Sequence, residues 1–249
     1  MNVESYLRRI HYSGSVEPDA DTLRQLHLAH LLTVPFENLD IHLGRSIVLE
    51  DAALFDKIVE RRRGGFCYEL NGLFCWLLRE LGFNVRKLSA GVARAEGGFD
   101  PYFDHMALLV ELEQLWLADV GFGDSFRQPI PLSEKAETYD GFGLYSIRLN
   151  GDVLVLTRRL GLDQAEPQYR FTVQPYEYAD FAEMCVHHQT SPDSPFTRAR
   201  VCTLATKDGR LTLKDMRLIT TNGRAKHERL VSDEDERNGI LRDLFGIEI

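Results

Sequence analysis

The residues best placed to do chemistry are Cys67, His105 and Asp119. Cys67 stands in RRRGGFCYELNGLF, residues 61 to 74, just after a glycine pair and at the start of an apolar helical stretch. A cysteine at a helix N-terminus meets unpaired N–H groups and a partial positive charge, and both favour thiolate over thiol. Arg61, Arg62 and Arg63 add positive charge nearby, and Gly64 and Gly65 allow close backbone approach or unusual φ values where a nucleophile must be presented on a tight turn. A thiolate enzyme needs a base and a third group that orients the base. His105 opens the apolar run HMALLV after the loop EGGFDPYFD, so it falls at a strand end beside a loop. Asp119 follows fourteen residues later in WLADVGFG, an apolar phrase in which a carboxylate requires a partner. Asp104 is excluded as the orienter, because successive strand residues face opposite sides.

The other candidates read as structure. Cys75 lies two helical turns beyond Cys67 within the apolar stripe, and Cys202 lies in a strand-like run. Cys185, His187 and His188 form one C-x-H-H without a matching second pair, so no metal is expected. His27 and His30 sit on a helix as surface or satisfied core residues, and His11, His42 and His227 are in polar surroundings.

The elements that must position these groups change in kind near residue 84. Before it the period is helical. Asp21 is placed to cap a helix carrying Leu23, Leu26, His30, Leu31 and Val34, which Pro35 ends; a second helix runs from about Asp51 to Arg63, and a third from about Cys67 to Gly82. After Phe83 the period drops to two and the chain is mostly strand. HMALLVEL and QLWLADVGF read as consecutive strands. Asn150-Gly151 signals a type I′ hairpin, Asp208-Gly209 a second hairpin, and the tail from Ser232 a closing helix. The division expected is 1–84 helical, 85–190 strand and 191–249 mixed α/β, an α+β chain whose middle closes or nearly closes into a barrel.

A net charge of −9 over 249 residues, with 27% charged, excludes proteins that wrap nucleic acid or an anionic membrane, since those need a basic field. No apolar run is long enough to span a bilayer. The polar N-terminus lacks the layout of a secretory signal, and the four cysteines do not form a disulfide scaffold. A cytoplasmic location is expected.

Four ordered phrases then carry a resemblance: LHLAHLLTVPFENLDIHLGR (26 to 45), KIVERRRGGFCYELNGLF (57 to 74), HMALLVEL (105 to 112) and WLADVGFG (116 to 123). With these the chain resembles the arylamine N-acetyltransferase family across most of its length, more diffusely beyond about residue 130. The resemblance implies a helical bundle, a central antiparallel β-barrel and a C-terminal α/β lid around a cysteine-protease-like core. It implies ping-pong chemistry: acetyl passes from acetyl-CoA to Cys67, with His105 as proton partner and Asp119 as its orienter, and then to an arylamine or arylhydrazine. Backbone N–H groups around Cys67 and Phe103 are oxyanion candidates. Gly121 and Gly123 match a loop beside the CoA pyrophosphate, and Phe103 falls with the CoA contacts. Phe36, Val92 and Phe122 match the acceptor pocket. Glu37 and one of Arg62 or Arg63 would form a buried ion pair. The implied partners are CoA and a small-molecule amine, with no metal, in a monomer or homodimer. Gly91 departs from the family pattern, since bacterial relatives commonly carry Arg there.

Three rivals share parts of this pattern. An amide synthase of the same fold would keep the triad and act on a carrier-bound or larger acyl chain. A cysteine hydrolase would pass the acyl group to water, and a noncatalytic binding module would leave Cys67 unreactive.

Overall fold

The helical first third is assembled around one almost wholly buried helix. In the computed structural model, which describes residues 1–133, 136–223 and 225–249, the chain begins with α1 (Val3–Arg9) and α2 (Ala20–Leu31). The Asn2 side chain caps α1. Asp19, not Asp21, caps α2 by accepting from the Thr22 N–H at 2.7 Å. The short β1 (Phe36–Glu37) and α3 (Leu39–His42) follow. The second expected helix is split, with α4 (Asp51–Phe55) loosening into a π-helical turn at Asp56–Glu60. That wider turn carries Lys57, whose buried ammonium is taken up by two carboxylates, and turns of this kind recur beside functional sites.

The central helix α5 (Cys67–Glu80) buries every residue from Cys67 to Leu78. Leu70, Leu73, Phe74 and Leu77 are fully buried, each worth roughly 1.5–3 kcal/mol relative to exposure. Packing therefore fixes α5 far more firmly than helix propensity does. Its N-terminus is closed by Glu69, whose carboxylate accepts from the Phe66 N–H at 3.0 Å. The glycine pair ahead of it serves close approach and not a left-handed turn: a Cβ on Gly64 would stand 2.0 Å from the Pro35 carbonyl oxygen.

Eight antiparallel strands follow: β2 (Asn84–Val92), β3 (His105–Glu111), β4 (Leu115–Ala118), β5 (Ile130–Pro131), β6 (Glu137–Tyr139), β7 (Leu144–Asn150), β8 (Val153–Arg159) and β9 (Glu166–Tyr176). Their spatial order is β5-β4-β3-β2-β9-β8-β7-β6. The sheet curls until its two edges meet, where the Gln128 side chain donates to the Tyr139 carbonyl and the Arg127 N–H donates to Asp140. The result is a nearly closed barrel filled by Leu88, Leu109, Tyr145, Leu156, Tyr169 and Phe171. The β7–β8 hairpin forms with its turn shifted by one residue: Asn150 pairs with Val153, leaving Gly151-Asp152 as the loop, with Gly151 at positive φ.

Two helices interrupt the strand-rich region, α6 (Tyr178–Thr190) and α7 (Pro195–Arg198). A second sheet of β10 (Val201–Thr206), β11 (Gly209–Lys214), β12 (Arg217–Asn222) and β13 (Ala225–Leu230) then packs with α8 (Glu234–Phe245) through Leu213, Leu218, Leu241 and Phe245. This sheet takes β1 as its first strand, in the order β1-β10-β11-β12-β13, so the residues around Phe36 are tied to the C-terminal part by backbone pairing.

Candidate active site

The first residue of α5, the first of β3 and the loop after β4 converge on one cavity of about 720 Å³, lined by Cys67, His105, Gly121 and Phe122 among others. A larger surface groove of about 870 Å³, between Pro18, Arg24, Glu113 and Trp116, holds no cysteine or histidine. The chemistry is concentrated in the smaller cavity.

Within it, His105 Nε2 lies 2.7 Å from Asp119 Oδ2, with both side chains buried. That contact occupies Nε2 and leaves Nδ1 as the ring nitrogen for proton exchange. The ring is wedged edge-on against Phe122 and packed on Tyr169, each about 5.2 Å between centroids. Asp119 is over-determined. Its Oδ1 accepts from Asn71 Nδ2 at 2.8 Å and from the Gly121 N–H at 2.9 Å. Burial works to raise its pKa, yet His105 and these donors together hold the carboxyl below its usual range.

Asn71 and His27 are functional positions that sequence reasoning misses. Asn71 also donates to the Met106 carbonyl and accepts from the Val120 N–H, stitching α5 to β3 and to the loop after β4 that carries Asp119. Its one-turn spacing from Cys67 is the only local signal. His27 Nδ1 bonds the Arg127 carbonyl at 3.1 Å, which makes it the donor; Nε2 then accepts from the Asp119 N–H at 3.1 Å. Burial pushes this imidazole down to about 4, so it is a neutral strut. It is a satisfied core histidine, and the group it supports is Asp119.

Cys67 does not have the electrostatics its position suggests. Burial pushes its thiol well above the usual range, and the carboxylates of Asp104 and Asp119 push the same way; backbone N–H groups of Met106 and Tyr68 work against them. The helix terminus is outweighed because the sulfur is almost wholly removed from water. A thiolate here therefore needs a cation beside it, and His105, the imidazole held by Asp119, lines the same cavity.

Behind Cys67 lies a buried ion network. Lys57 Nζ meets Asp40 and Glu69, both at 2.7 Å, and Arg63 meets Glu37 at 2.7 Å and Asp40 at 3.1 Å. Arg63 is thus the partner of Glu37, while Arg62 is a left-handed residue. Through Glu69 the network holds the Phe66 N–H and so the start of the nucleophile's helix.

Phe36, Val92, Gly121 and Phe122 line the cavity. A Cβ on Gly121 would stand 2.9 Å from Cys67 Cα, so the loop after Asp119 touches the nucleophile's backbone. Gly123, at positive φ, packs against the Phe36 ring. Phe103 points elsewhere, against Tyr176 and Phe181. Its N–H donates to Ser89 Oγ at 2.6 Å, so it is not a free oxyanion donor. Cys185 and His188 are engaged by Gln189 and by Asp104 and Ser194. Cys75 and Cys202 are buried core thiols.

Asp104 does not follow the strand rule. Among the described residues it makes no side-chain hydrogen bond to His105, but it does not face away from it. Phe103 adopts φ 70° and β3 begins only at His105, so strand alternation does not apply and both side chains line the same cavity.

The fold and this cleft can be set beside known proteins. The family described as N-acetyltransferase matches residues 19–249. An arylamine N-acetyltransferase of Escherichia coli is 36% identical over 97% of this chain and 87% of its own length. The solved arylamine N-acetyltransferase of Salmonella typhimurium superposes with a TM-score of 0.93 at 32% identity, covering 98% of this chain and 90% of that one. The Mycobacterium marinum arylamine N-acetyltransferase in complex with CoA superposes at 0.91 and 32% identity, covering 99% and 93%. A proansamycin X synthase of Amycolatopsis mediterranei is 30% identical over 96% of this chain and 95% of its own length. The chain belongs to the arylamine N-acetyltransferase family and is an acyltransferase.

Proposed function

We propose that this enzyme transfers acetyl from acetyl-CoA to an arylamine or arylhydrazine through an acetyl-Cys67 intermediate. The observation that carries the reading is the buried His105–Asp119 pair opening onto the same cavity as Cys67. Asp119 holds the proton on Nε2, so Nδ1 takes the Cys67 proton and the thiolate exists as the partner of an imidazolium. Cys67 Sγ attacks the thioester carbonyl, and the tetrahedral oxyanion is met by backbone N–H groups at the start of α5. The C–S bond to CoA breaks as His105 returns the proton to the leaving thiolate. The neutral amine then attacks acetyl-Cys67, its proton passes to His105, and the amide leaves as Cys67 is regenerated.

Phe36, Val92 and Phe122 form the apolar wall for an aromatic ring, and Gly121 and Gly123 border the CoA entry. We further propose three units, 1–84, 85–190 and 191–249, acting in the cytoplasm; no helix among the described residues is long and apolar enough to cross a membrane. A second reading, condensation of a larger or carrier-bound acyl chain with an aromatic amine, draws on the proansamycin X synthase likeness. Intact mass after incubation with acetyl-CoA alone, beside Cys67→Ala, tests the first. One acetyl group gained by the wild type only, and discharged by aniline, is expected. No adduct and no CoA release would refute it and move the test to longer acyl donors.

A further inference from the structure

One carboxylate in the cavity has no use in acetyl transfer and works against it. Asp104 raises the Cys67 thiol by its charge, and its own carboxyl is pushed up to about 6 by burial and by Asp100. Such a group is costly beside a nucleophile that must ionise. The backbone is nevertheless built to hold it there. Phe103 is kept in a left-handed conformation uncommon for a side-chain-bearing residue, its N–H held by Ser89 and its carbonyl by the Tyr68 hydroxyl.

The other cavity charges are matched. Arg94 pairs with Asp100 at 2.6 Å, and Asp193 with Arg198 at 3.5 Å. Asp104 has no permanent cation: its carboxylate takes the Val92 N–H and is eased by the nearby imidazoles of His105 and His187, while His188 Nε2 stands 3.5 Å from Oδ1 and bonds the Asp104 carbonyl at 3.1 Å. Burial holds His188 down to about 4, so it is a neutral donor at working pH. Among the described residues no lysine or arginine pairs with Asp104. The wall around it is apolar, with Phe36, Val92, Phe122, Met184 and Phe196.

We infer that Asp104 is a specificity residue that recognises aromatic acceptors carrying a second, cationic nitrogen in addition to the one acetylated. This rests on the acetyl-transfer reading. The attacking nitrogen must be neutral, so the cation has to be a separate group, and an aromatic ring carrying one matches an apolar wall with a single unmatched carboxylate. A cation there also relieves the repulsion that Asp104 exerts on the Cys67 thiolate.

The test compares 3- and 4-(aminomethyl)aniline, cationic at pH 7.5, with the near-isosteric (hydroxymethyl)anilines and with 4-aminobenzoate, scoring acetylation of the aryl nitrogen by kcat/KM. Roughly a tenfold preference for the cationic over the neutral acceptor is expected in the wild type, the size of one partly desolvated charge pair, with the anion poorest. In Asp104→Asn the cationic-to-neutral ratio should collapse toward one, and Asp104→Glu should restore part of it. A wild-type ratio near one, or a ratio unchanged in Asp104→Asn, overturns the inference while leaving acetyl transfer standing. Absence of acetyl-Cys67 by intact mass overturns the transfer reading and this inference with it. The wild-type ranking needs no variant to fold.

Discussion

Replacing Asp119 by Asn should disable His105 without disturbing the fold, and the reason can be worked atom by atom. Oδ1 of Asp119 accepts from Asn71 and from the Gly121 N–H, so an Asn side chain keeps its carbonyl oxygen at that position. Its NH2 group then faces His105 Nε2 and forces that nitrogen to accept. The imidazole proton moves to Nδ1, the wrong tautomer for taking a proton from Cys67. The charge is lost as well. At the 2.7 Å separation of the pair, an imidazolium and a carboxylate attract by about 6 kcal/mol at an effective dielectric near 20. The amide dipole recovers part of this, which leaves a penalty of about 4–5.5 kcal/mol, or roughly 10³–10⁴-fold in rate. The analogous Asp-to-Asn change in a serine-protease triad, which also imposes the wrong tautomer, costs about 10⁴-fold. The assay is single-turnover formation of acetyl-Cys67 by rapid-quench mass spectrometry, with iodoacetamide alkylation against pH as a direct readout of thiolate. Acylation within tenfold of wild type, by a variant with unchanged thermal unfolding, would refute the tautomer argument.

Gly121→Ala should lower acylation at least about tenfold, since the new methyl would press on the Cys67 backbone and Asn71; wild-type acylation would show that this loop gives freely. Lys57→Met should destabilise the fold by about 3–5 kcal/mol in urea titrations, because it leaves Asp40 and Glu69 short of their buried cation; a loss under about 1 kcal/mol would contradict the network. Asp104→Asn should raise Tm at pH 7.5, since a carboxyl pushed up to about 6 is ionised there at a cost to the native state; a lowered Tm would count against an unmatched charge. Stability should also fall as pH drops from about 6.5 toward 4. His27 and His188 are held near 4, and His30 is held well below its ordinary value, so the unfolded chain binds protons that the native state refuses. Asp104 opposes this by one proton and Glu69, also raised by burial, opposes it further, which keeps the slope below about 2.7 kcal/mol per pH unit; a urea midpoint that is flat from pH 6.5 to 5 would exclude it.

What can be read along the chain is what is local or periodic. The apolar stripe of α5, the start of that helix at Cys67, the strand opening at His105 and the hairpin near Asn150 all follow from spacing and turn chemistry over a few residues. Even so, local competition moves details: Asp19 takes the cap from Asp21, and the hairpin turn settles on Gly151-Asp152. The role of Arg63 over Arg62 is not legible, because the choice lies in a left-handed residue and in carboxylates that α3 and β1 bring up from elsewhere.

The site divides in the same way. Residue type and position mark Cys67, His105 and Asp119, since a thiol, an imidazole and a buried carboxylate are informative wherever they fall. Only the folded chain decides how they are held: Asn71 and His27 reach Asp119 from two helices, and Glu69 ties Cys67 to a lysine in a π-helical turn. Burial, which no single position reveals, reverses the expected direction of the Cys67 thiol. The left-handed Phe103 turns Asp104 into the cavity against the strand rule. Chemical identity is a property of a residue, whereas dielectric, tautomer and direction are properties of everything packed around it.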